Sequence, residues 1–458
     1  MDDHSTAGLS SETDAATGAR LGRRRFLQLA GGAAAVGAVA WRGRLLLPEA
    51  AVAADLPPDL ALGGTDGWMY LPPTPAIPPF HPDVLAPDGL TTYIFGFRNV
   101  TGMTTLQRSA QKNHAQHSAP LFWVDQFDPD HPVDFRVQLT NLGLALRPDL
   151  FDAHTVHWHG FRNVIPFFDG EPSGSVAVPS GRSFTYVYRP RDPGTYMYHC
   201  HVEDVEHVQM GMTGLVFVRP LQDGNTTLYP SGRYLYNDGD GSTGFDREFA
   251  MFLSEVWAEA HWADAHIQLP EWSDYQADFT LLNGRVYPDT LAPNGSIDPF
   301  HPVHDADGDL IAPAGHPNLK YQPHSSLVTC QPGERVALRF ANLGFREQAM
   351  SLAGIRMRVV GRDATPMRGR DGTDTSYETE TLNIGPGESY DVVFTAPAHT
   401  GGSGTSGQGY DTYLLYNRAY TRSNNLAPGG FGGQATEVRV HPAGALSPQQ
   451  YPNEWAVQ

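Results

Sequence analysis

The chain contains one strand pattern twice, and this repeat restricts it to folds built from two related units. Three segments of the first copy return in the second in the same order: "VQLTNLG" (137–143) as "LRFANLG" (338–344), "GRSFTYVY" (181–188) as "GESYDVVF" (387–394), and "GTYMYHCH" (194–201) as "DTYLLYNR" (411–418). Agreement in order and spacing indicates two copies of one domain. A stretch rich in Gly, Asp and Asn, ending in "NDGDGSTGFD", predicts the boundary between them.

Both copies have the composition and pattern of β-sheet domains. Alternating runs such as "FTYVYRP" and "TGLVFVRP" recur, and the chain has 48 Gly and 37 Pro in 458 residues. No stretch has the period of a long amphipathic helix. We therefore predict an all-β protein with a first domain at 55–222, including a Pro-rich extension to about residue 90, and a second domain at 223–458.

Residues 1–54 are predicted to be a leader rather than part of either domain. Arg23 and Arg24 precede Phe26 and Leu27 and then a modest apolar run, which is the layout of a twin-arginine signal peptide. The run is shorter than the about 20 residues of a membrane span. Export would place the protein in the periplasm, on the cell surface or outside the cell. A basic disordered tail is the alternative interpretation.

The charge of the chain argues against two classes of partner. Its formal net charge is −19 at pH 7. A surface of this sign repels nucleic acid and anionic lipid. We therefore expect no nucleic acid and no membrane among the partners.

Two groups of metal-binding side chains follow from the alternation of side chains along a strand. The motifs are "HTVHWHG" (154–160) and "YHCH" (198–201). By parity, one face carries four histidines: His157, His159, His199 and His201. The opposite face carries His154 and Cys200. The sequence therefore predicts two separate sites that lie back to back.

The first site gains two further donors after the second strand. His207 follows Cys200 by seven residues and Met212 follows His207 by five. Two imidazoles, a thiolate and a distant thioether are the ligands of a blue-copper site. Zinc is the alternative, since it accepts Cys and His but seldom Met. Met212 is the better axial ligand because Met210 lies only three residues past His207.

The second site lies behind the first one. Cys200 is bonded through the backbone to His199 and His201, so an electron at the cysteine has a short covalent path to a metal on the other face. This arrangement favours an enzyme over an electron carrier.

These motifs resemble the copper motifs of the multicopper oxidases, in the laccase-like two-domain type with a type 1 copper in the first domain. The likeness covers most of residues 90–440, including "TLLNGRVYP" (280–288). It implies two cupredoxin-like domains, each a Greek-key β-barrel, with a type 1 copper on His154, Cys200, His207 and Met212. It also implies a type 2 copper on His157 and a type 3 pair on His159, His199 and His201.

The resemblance further implies an activity. Such enzymes oxidise phenols, amines or low-valent metal ions one electron at a time and reduce dioxygen to water. We expect Cys200 and His207 to carry the electron transfer, with substrate approaching an exposed edge of His207. The partners are then a small reducing substrate and dioxygen.

The chain departs from the family pattern in two ways. The gap from Cys200 to His207 is two residues longer than usual, which predicts a reshaped loop beside the type 1 site. The family's trinuclear cluster also needs eight histidines in two equal sets, and the second copy has Ser351, Ala353, Tyr416 and Arg418 at those positions. It has Gln348 and Asn417 at the positions of His154 and Cys200. In small two-domain members a neighbouring subunit supplies the second set, so we predict a homo-oligomer, specifically a homotrimer.

Two alternatives for the function remain open. Copper nitrite reductases also keep a type 1 site in their first domain, but have an aspartate where this chain has His157 and a small residue at His201. A non-catalytic blue-copper carrier would leave the four histidines of the second face without a role.

Several lesser features are given structural interpretations. Six histidines without diagnostic spacing are expected to face solvent: His114, His117, His261, His266, His301 and His304. Cys330, in "SLVTCQPGE", is expected to be a buried free thiol, with a disulfide to Cys200 as the alternative. "DADGD" (305–309) is expected to be a solvated acidic turn rather than a calcium loop.

Overall fold

The computed structural model describes residues 56–401, 409–422, 424–426 and 430–454. The predicted leader at 1–54 lies outside the described residues. No described helix is long and apolar enough to cross a bilayer.

The first half of the described chain contains eight strands and two short helices. The strands are β1 (Leu60–Met69), β2 (Thr92–Asn99), β3 (Phe122–Asp125), β4 (Phe135–Gly143), β5 (His157–His159), β6 (Ser183–Tyr188), β7 (Gly194–His199) and β8 (Thr213–Arg219). The α-helices are α1 (Thr105–Ser109) and α2 (Asp204–Met210), and a 3₁₀ turn spans Pro166–Phe168.

The second half of the described chain contains twelve strands and one α-helix, α3 (Ala258–Ala265). The strands are β9 (Arg247–Val256), β10 (Phe279–Leu282), β11 (Val328–Cys330), β12 (Arg335–Asn342), β13 (Gln348–Leu352), β14 (Met357–Arg362), β15 (Thr365–Pro366), β16 (Tyr377–Thr379), β17 (Thr381–Ile384), β18 (Ser389–Thr395), β19 (Asp411–Asn417) and β20 (Ala435–Val440). 3₁₀ turns lie at Trp272–Asp274, Asp289–Leu291, Pro317–Leu319 and Tyr420–Arg422.

Both halves use the same strand order, which confirms the repeat predicted from the sequence. The first half forms sheets ordered β2-β1-β4-β6 and β3-β8-β7-β5. The second half repeats them as β10-β9-β12-β18, extended by β14 to β16, and β11-β20-β19-β13, extended by β17. The parallel pairs recur as well, since β1 pairs with β4 as β9 pairs with β12. The prediction of an all-β, cupredoxin-like fold is confirmed.

Alternation along the strands explains why each half closes over its own core. In β4 every second side chain, from Phe135 to Gly143, is buried, while those between are half-exposed. The first core is rich in aromatic side chains, and Trp158 stacks on Tyr188 with ring centroids 4.5 Å apart. The second core is more aliphatic and includes the buried Cys330.

The segment up to about residue 90 differs from the expected extension. It contains β1, whose ten residues are all buried in the middle of a sheet, before the Pro-rich stretch begins. The boundary near residue 222 stays a prediction. The strands on its two sides, β8 and β9, belong to different sheets.

Strand β7, which leads into the cysteine motif, is held against the second half. Thr195 Oγ1 donates a hydrogen bond to Asp391, and Arg339 pairs with Asp391 at 3.3 Å and with Glu248 at 2.8 Å. The Arg339 guanidinium also lies 4.2 Å from the ring centroid of Phe217. Because these charges are buried and paired, they fix the strand that carries His199.

Candidate metal centres

Three donor atoms converge in the core of the first half. The Nδ1 atom of His207 lies 3.2 Å from Cys200 Sγ, and the Nδ1 atom of His154 lies 4.0 Å from it. The ligand atoms of the three residues all lie within 4.8 Å of one another, and all three side chains are buried. The structure therefore brings together the residues that parity and spacing predicted for the first site.

Local backbone structure explains how Met212 joins this group. Helix α2 ends at Met210 and is capped by Gly211, whose φ of 118° lets the chain reverse direction at once. The amide of Cys200 then donates to Met212 O, and the amide of Met212 donates to His207 O. A Cβ added at Gly64 would lie 3.4 Å from Met212 Cε and 2.9 Å from His154 Cδ2. The methyl group of Met212 and the imidazole of His154 therefore both lie next to Gly64.

The charge state of the first site is set by its own donors. Burial opposes ionisation of the Cys200 thiol, but the charge of His207 and hydrogen bonds from both histidines outweigh it, so the pKa of Cys200 lies well below its usual value. Burial likewise lowers the pKa of His207, but the cysteine and Asp152 raise it to about 10. The two residues therefore form a thiolate beside an imidazolium, and a soft metal ion that binds both donors displaces the imidazolium proton.

The expected exposed edge of His207 is absent. Its side chain is fully buried, and its ring lies 5.7 Å from that of Phe95. Its Nε2 atom lies 3.6 Å from Asp152 Oδ2, and the Asp152 side chain is 14% exposed. The lengthened segment after Cys200 forms helix α2, and His207 lies on its buried side. Asp152, and not His207, is therefore the side chain that solvent contacts here.

Four imidazoles meet on the opposite face of the same strands. His157 and His199 are cross-strand partners, with ring centroids 5.3 Å apart. The ring of His159 lies 5.6 Å from that of His199, and the ring of His201 lies 4.9 Å from that of His157. The ligand atoms of His157, His159 and His199 lie within 4.8 Å of one another. The predicted second group is present.

Backbone carbonyls orient two of these rings. His157 Nδ1 donates to Asp169 O at 2.8 Å, and His199 Nδ1 donates to Cys200 O at 2.8 Å. Each bond leaves Nε2 to face the group, as is usual for metal-binding histidines. Burial lowers the pKa of His157 and of His159, and lowers that of His199 to about 3. These imidazoles are neutral near pH 7, the form that binds metal.

The equivalent strands of the second half confirm the sequence comparison. Ser351 pairs with Tyr416 in β13 and β19 just as His157 pairs with His199 in β5 and β7. The predicted counterparts of the histidines therefore occupy equivalent positions and are not imidazoles.

The six histidines expected to face solvent differ in how exposed their side chains are. His301 is highly exposed, as expected, whereas His117 and His261 are buried and the expectation is wrong for them. His117 Nε2 lies 3.3 Å from Ser254 Oγ, and His261 Nδ1 donates to Tyr93 O at 2.6 Å. Burial lowers the pKa of His117 to about 3 and that of His261 to about 4. In the described part of the chain, none of the six joins either metal-binding group: His114, His117, His261, His266, His301 and His304.

Two lesser predictions have clear outcomes. Cys330 is a buried free thiol, as predicted, and burial raises its pKa to about 12. The acidic turn at 305–309 is occupied by a side-chain cation, since Lys320 Nζ lies 3.2 Å from Asp305 and 2.9 Å from Asp309. Asp309 is also buried, so the turn is less solvated than expected.

Two residues that shape the first site could not be identified from the sequence. Asp152 lies outside the histidine motifs, and its contact with His207 depends on the path of helix α2. Gln209 donates from Nε2 to Glu255 O at 3.2 Å and so ties that helix to β9. Glutamine and aspartate are too common in loops and helices for spacing alone to single them out.

The donor set of the first site fits copper. Two imidazole Nδ1 atoms, a thiolate and a thioether are typical of blue-copper proteins, whereas structural zinc sites use four Cys or His ligands. The second group offers only imidazoles, which also suit copper.

Comparison with known proteins gives one consistent family. Residues 140–223 and residues 254–403 each match a sequence profile described as multicopper oxidase, and together these cover about half of the chain. Multicopper oxidase MmcO of Mycobacterium tuberculosis is 26% identical over 54% of this chain and 42% of its own length. L-ascorbate oxidase of Nicotiana tabacum is 25% identical over 52% of this chain and 36% of its own length.

A solved structure agrees on the fold. The blue copper oxidase from Nitrosomonas europaea superposes with a TM-score of 0.50 and 18% identity, covering 83% of this chain and 85% of that one. The matches to the two curated relatives span only about two fifths of those proteins. The two profile matches, the relatives and the donor groups lead to one conclusion: the chain belongs to the multicopper oxidase family.

Proposed function

We propose that this protein is an exported copper-dependent oxidase. It takes electrons singly from a small reducing substrate at the first site and delivers them to the second site, where dioxygen is reduced to water. Copper held by the two donor groups supplies the one-electron chemistry. The phenol, amine or metal-ion substrates are those implied by the family resemblance.

One observation carries the proposal: the two donor groups share strand β7 and its end. Cys200 belongs to the first group, and the adjacent residue, His199, belongs to the second. A hydrogen bond of 2.8 Å from His199 Nδ1 to Cys200 O adds a second route between them. An electron that reaches the sulfur atom thus has a short path to the far face, which a simple carrier does not need.

The residues of the first site divide the remaining tasks. His154, Cys200 and His207 would hold the type 1 copper, and Met212, next to Gly64, would supply the thioether ligand. The amide of Thr155 points at Cys200 Sγ over 3.4 Å and stabilises its negative charge. Because His207 is buried, a reducing substrate docks at the surface formed by Asp152 and the exposed Glu203, and electrons pass inward through His207.

The residues of the second site hold the oxygen-reducing copper. His157 would hold a type 2 copper, and His159, His199 and His201 would hold a type 3 pair. Burial lowers the pKa of His157, His159 and His199, so no proton has to leave these rings before a metal binds, and His157 and His199 turn Nε2 inward. A further subunit completes the ligand set, so the active protein is a homo-oligomer.

The test compares the two buried cysteines of the chain. In copper-loaded protein, Cys200→Ser is expected to abolish the blue absorption and the oxygen uptake together, because it removes the thiolate ligand. Cys330→Ser is the matched control and is expected to keep both. An active but colourless Cys200→Ser protein contradicts the proposed route.

Copper content and the terminal acceptor separate the alternatives. Two or more coppers per chain with phenol-dependent oxygen uptake support the oxidase. A single blue copper per chain without a second signal identifies an electron carrier instead. Nitrite reduction without oxygen uptake identifies a nitrite reductase. Export is tested separately, by replacing Arg23 and Arg24 with Lys and locating the protein.

A further inference from the structure

A cleft of about 600 Å³ lies where the two halves of the described chain meet. Its walls include two side chains of β3, one from the start of β4 and one from the second half: Trp123, Asp125, Phe135 and Phe300. Arg219 also lines the cleft and ends β8, a strand that begins at Thr213 directly after Met212. That strand spans about 20 Å, so the cleft lies at its far end from the first metal-binding group. Among the described residues, no candidate copper ligand lines the cleft.

Aromatic rings form the inner wall of this cleft. The rings of Trp123 and Phe300 meet edge to face with centroids 5.7 Å apart, and those of Phe300 and Phe135 do so at 6.3 Å. Phe135 is buried, whereas Trp123 and Phe300 are partly exposed and can contact a ligand. A concave site of this volume, lined by rings and a few polar groups, is the usual form of a small-molecule site.

The charged groups of the cleft are mostly carboxylates. One arginine, Arg219, stands against four aspartates: Asp59, Asp125, Asp128 and Asp134. Arg219 Nη2 pairs with the buried Glu248 at 3.3 Å, so its charge is already balanced. Its guanidinium also lies 5.1 Å from the ring centroid of Trp123. The cleft therefore carries excess negative charge, and its tryptophan already binds one cation of the chain itself.

Asp125 is the carboxylate available to a ligand. Asp134 pairs with Arg189 at 2.6 Å, and Asp128 pairs with His131 at 2.9 Å. The Asp125 side chain is exposed, and no hydrogen bond or ion pair engages its carboxylate in the described part of the chain. Because Trp123 and Asp125 are two residues apart on β3, both point to the same face. Alternate residues lie about 7 Å apart along a strand, which suits a ligand whose ring and charge are separated by a short chain.

We propose that this cleft binds a small aromatic ammonium ion. The ring of the ligand packs against the aromatic side chains, and its ammonium group lies beside Asp125. Aromatic faces and a carboxylate both favour a positive charge, whereas an aromatic acid of the same shape is repelled by the four aspartates. The site is separate from the two metal-binding groups, and the proposal does not depend on the proposed function.

The experiment is calorimetric titration of copper-loaded protein with phenethylamine, which has an aromatic ring and an ammonium group joined by two carbons. Phenethylamine is neither a phenol nor an arylamine, so the heat reports binding rather than oxidation. Phenylacetate has the same ring and the opposite charge and is the matched control ligand. We expect one phenethylamine to bind per chain and phenylacetate to give no binding heat.

Substitutions then locate the ligand in the cleft. Asp125→Asn is expected to weaken phenethylamine binding about fivefold, because the exposed ion pair is lost. Asp130→Asn removes the same charge from an exposed residue that does not line the cleft, and is expected to leave the affinity unchanged. Phe300→Leu is expected to weaken binding about tenfold. Phe151→Leu, at a phenylalanine that is 82% exposed elsewhere, is its control. An unchanged melting temperature shows that each variant folds.

Three results would overturn the proposal. The absence of binding heat with phenethylamine contradicts the site itself. Equal affinity for phenylacetate means that the cleft does not select positive charge. Equal losses in Asp125→Asn and Asp130→Asn mean that the general charge of the protein, and not contact with Asp125, attracts the ligand. The proposed function fails separately, on the colour and oxygen uptake of the Cys200→Ser protein.

Discussion

At equivalent positions the two halves of the chain share a backbone hydrogen bond but carry different side chains. Cys200 donates its amide to Met212 O in the first half, and Asn417 donates its amide to Gln434 O in the second. His154 pairs with Val178 as Gln348 pairs with Ile384, which makes His154 and Gln348 equivalent. Where the first half has an imidazole, a thiol and a thioether, the second half has three carboxamides.

The carboxamides of the second half satisfy one another. Asn417 Nδ2 donates to Gln348 Oε1 at 2.6 Å and to Gln434 Oε1 at 2.7 Å, and Gln348 Nε2 donates to Glu255 Oε1 at 2.7 Å. In the first half, the Nδ1 atoms of His154 and His207 instead face Cys200 Sγ, at 4.0 Å and 3.2 Å. The same scaffold therefore closes with hydrogen bonds alone in one half and presents donors to a metal in the other.

The largest effect is expected when the first half receives the residue of the second. Cys200→Asn replaces the thiolate by a carboxamide, so the blue absorption and the type 1 spin-resonance signal are expected to vanish completely. The reciprocal change, Asn417→Cys, places a thiol beside Gln348 rather than a histidine. It is expected to leave one blue copper per chain, measured as blue absorbance per copper. A second blue site in Asn417→Cys protein contradicts the comparison.

The next largest effect is expected in the carboxamide group of the second half, which consists of Asn417, Gln348 and Gln434. Asn417→Ala removes the donor to two buried amide oxygens, and leaving buried acceptors unpaired costs about 2–3 kcal/mol of unfolding free energy. The visible spectrum is expected to stay unchanged, because the first site keeps its ligands. Urea unfolding measures the loss. If Asn417→Ala instead bleaches the blue colour, the two regions are coupled rather than independent.

A smaller effect is expected from substitution of Gly64. The equivalent residue in the second half is Leu253. Gly64 pairs with Asn141 as Leu253 pairs with Asn342, and Leu253 is fully buried. In Gly64→Ala the new Cβ lies 2.9 Å from His154 Cδ2, so the ring has to shift. We expect about 1–2 kcal/mol of destabilisation and a changed spin-resonance signal. Ala61→Gly, in the same strand, controls for backbone effects and leaves the signal unchanged.

Regular strand geometry is what the sequence could predict. Parity along two strands separated Cys200 from His199 and His201, and the structure keeps that separation because β-strands alternate strictly. The repeat likewise predicted that the two halves share one fold and that the second half lacks the histidines. Each of these depends on local periodicity and not on how loops pack.

The features that sequence reasoning missed depend on irregular segments. The burial of His207 follows from helix α2 turning inward after a gap longer than usual. The burial of His261 depends on how α3 packs near Tyr93, far away along the chain. Gln434 replaces Met212, but the loops before the two residues differ in length, so no alignment of motifs pairs them. Tertiary packing decides these positions.

The smallest effect tests the link between the two regions. Gln209 Nε2 donates to Glu255 O at 3.2 Å, and the carboxylate of Glu255 accepts from Gln348 of the carboxamide group. In Gln209→Leu, helix α2 loses this tie, which is worth about 1 kcal/mol. Because the helix carries His207, the reduction potential and the spin-resonance signal of the blue copper are expected to shift slightly. Gln138→Leu, on half-exposed β4 surface, is the control. If Gln209→Leu and Gln138→Leu have the same reduction potential, the contact with the second half stabilises the chain but does not influence the copper site of the first half.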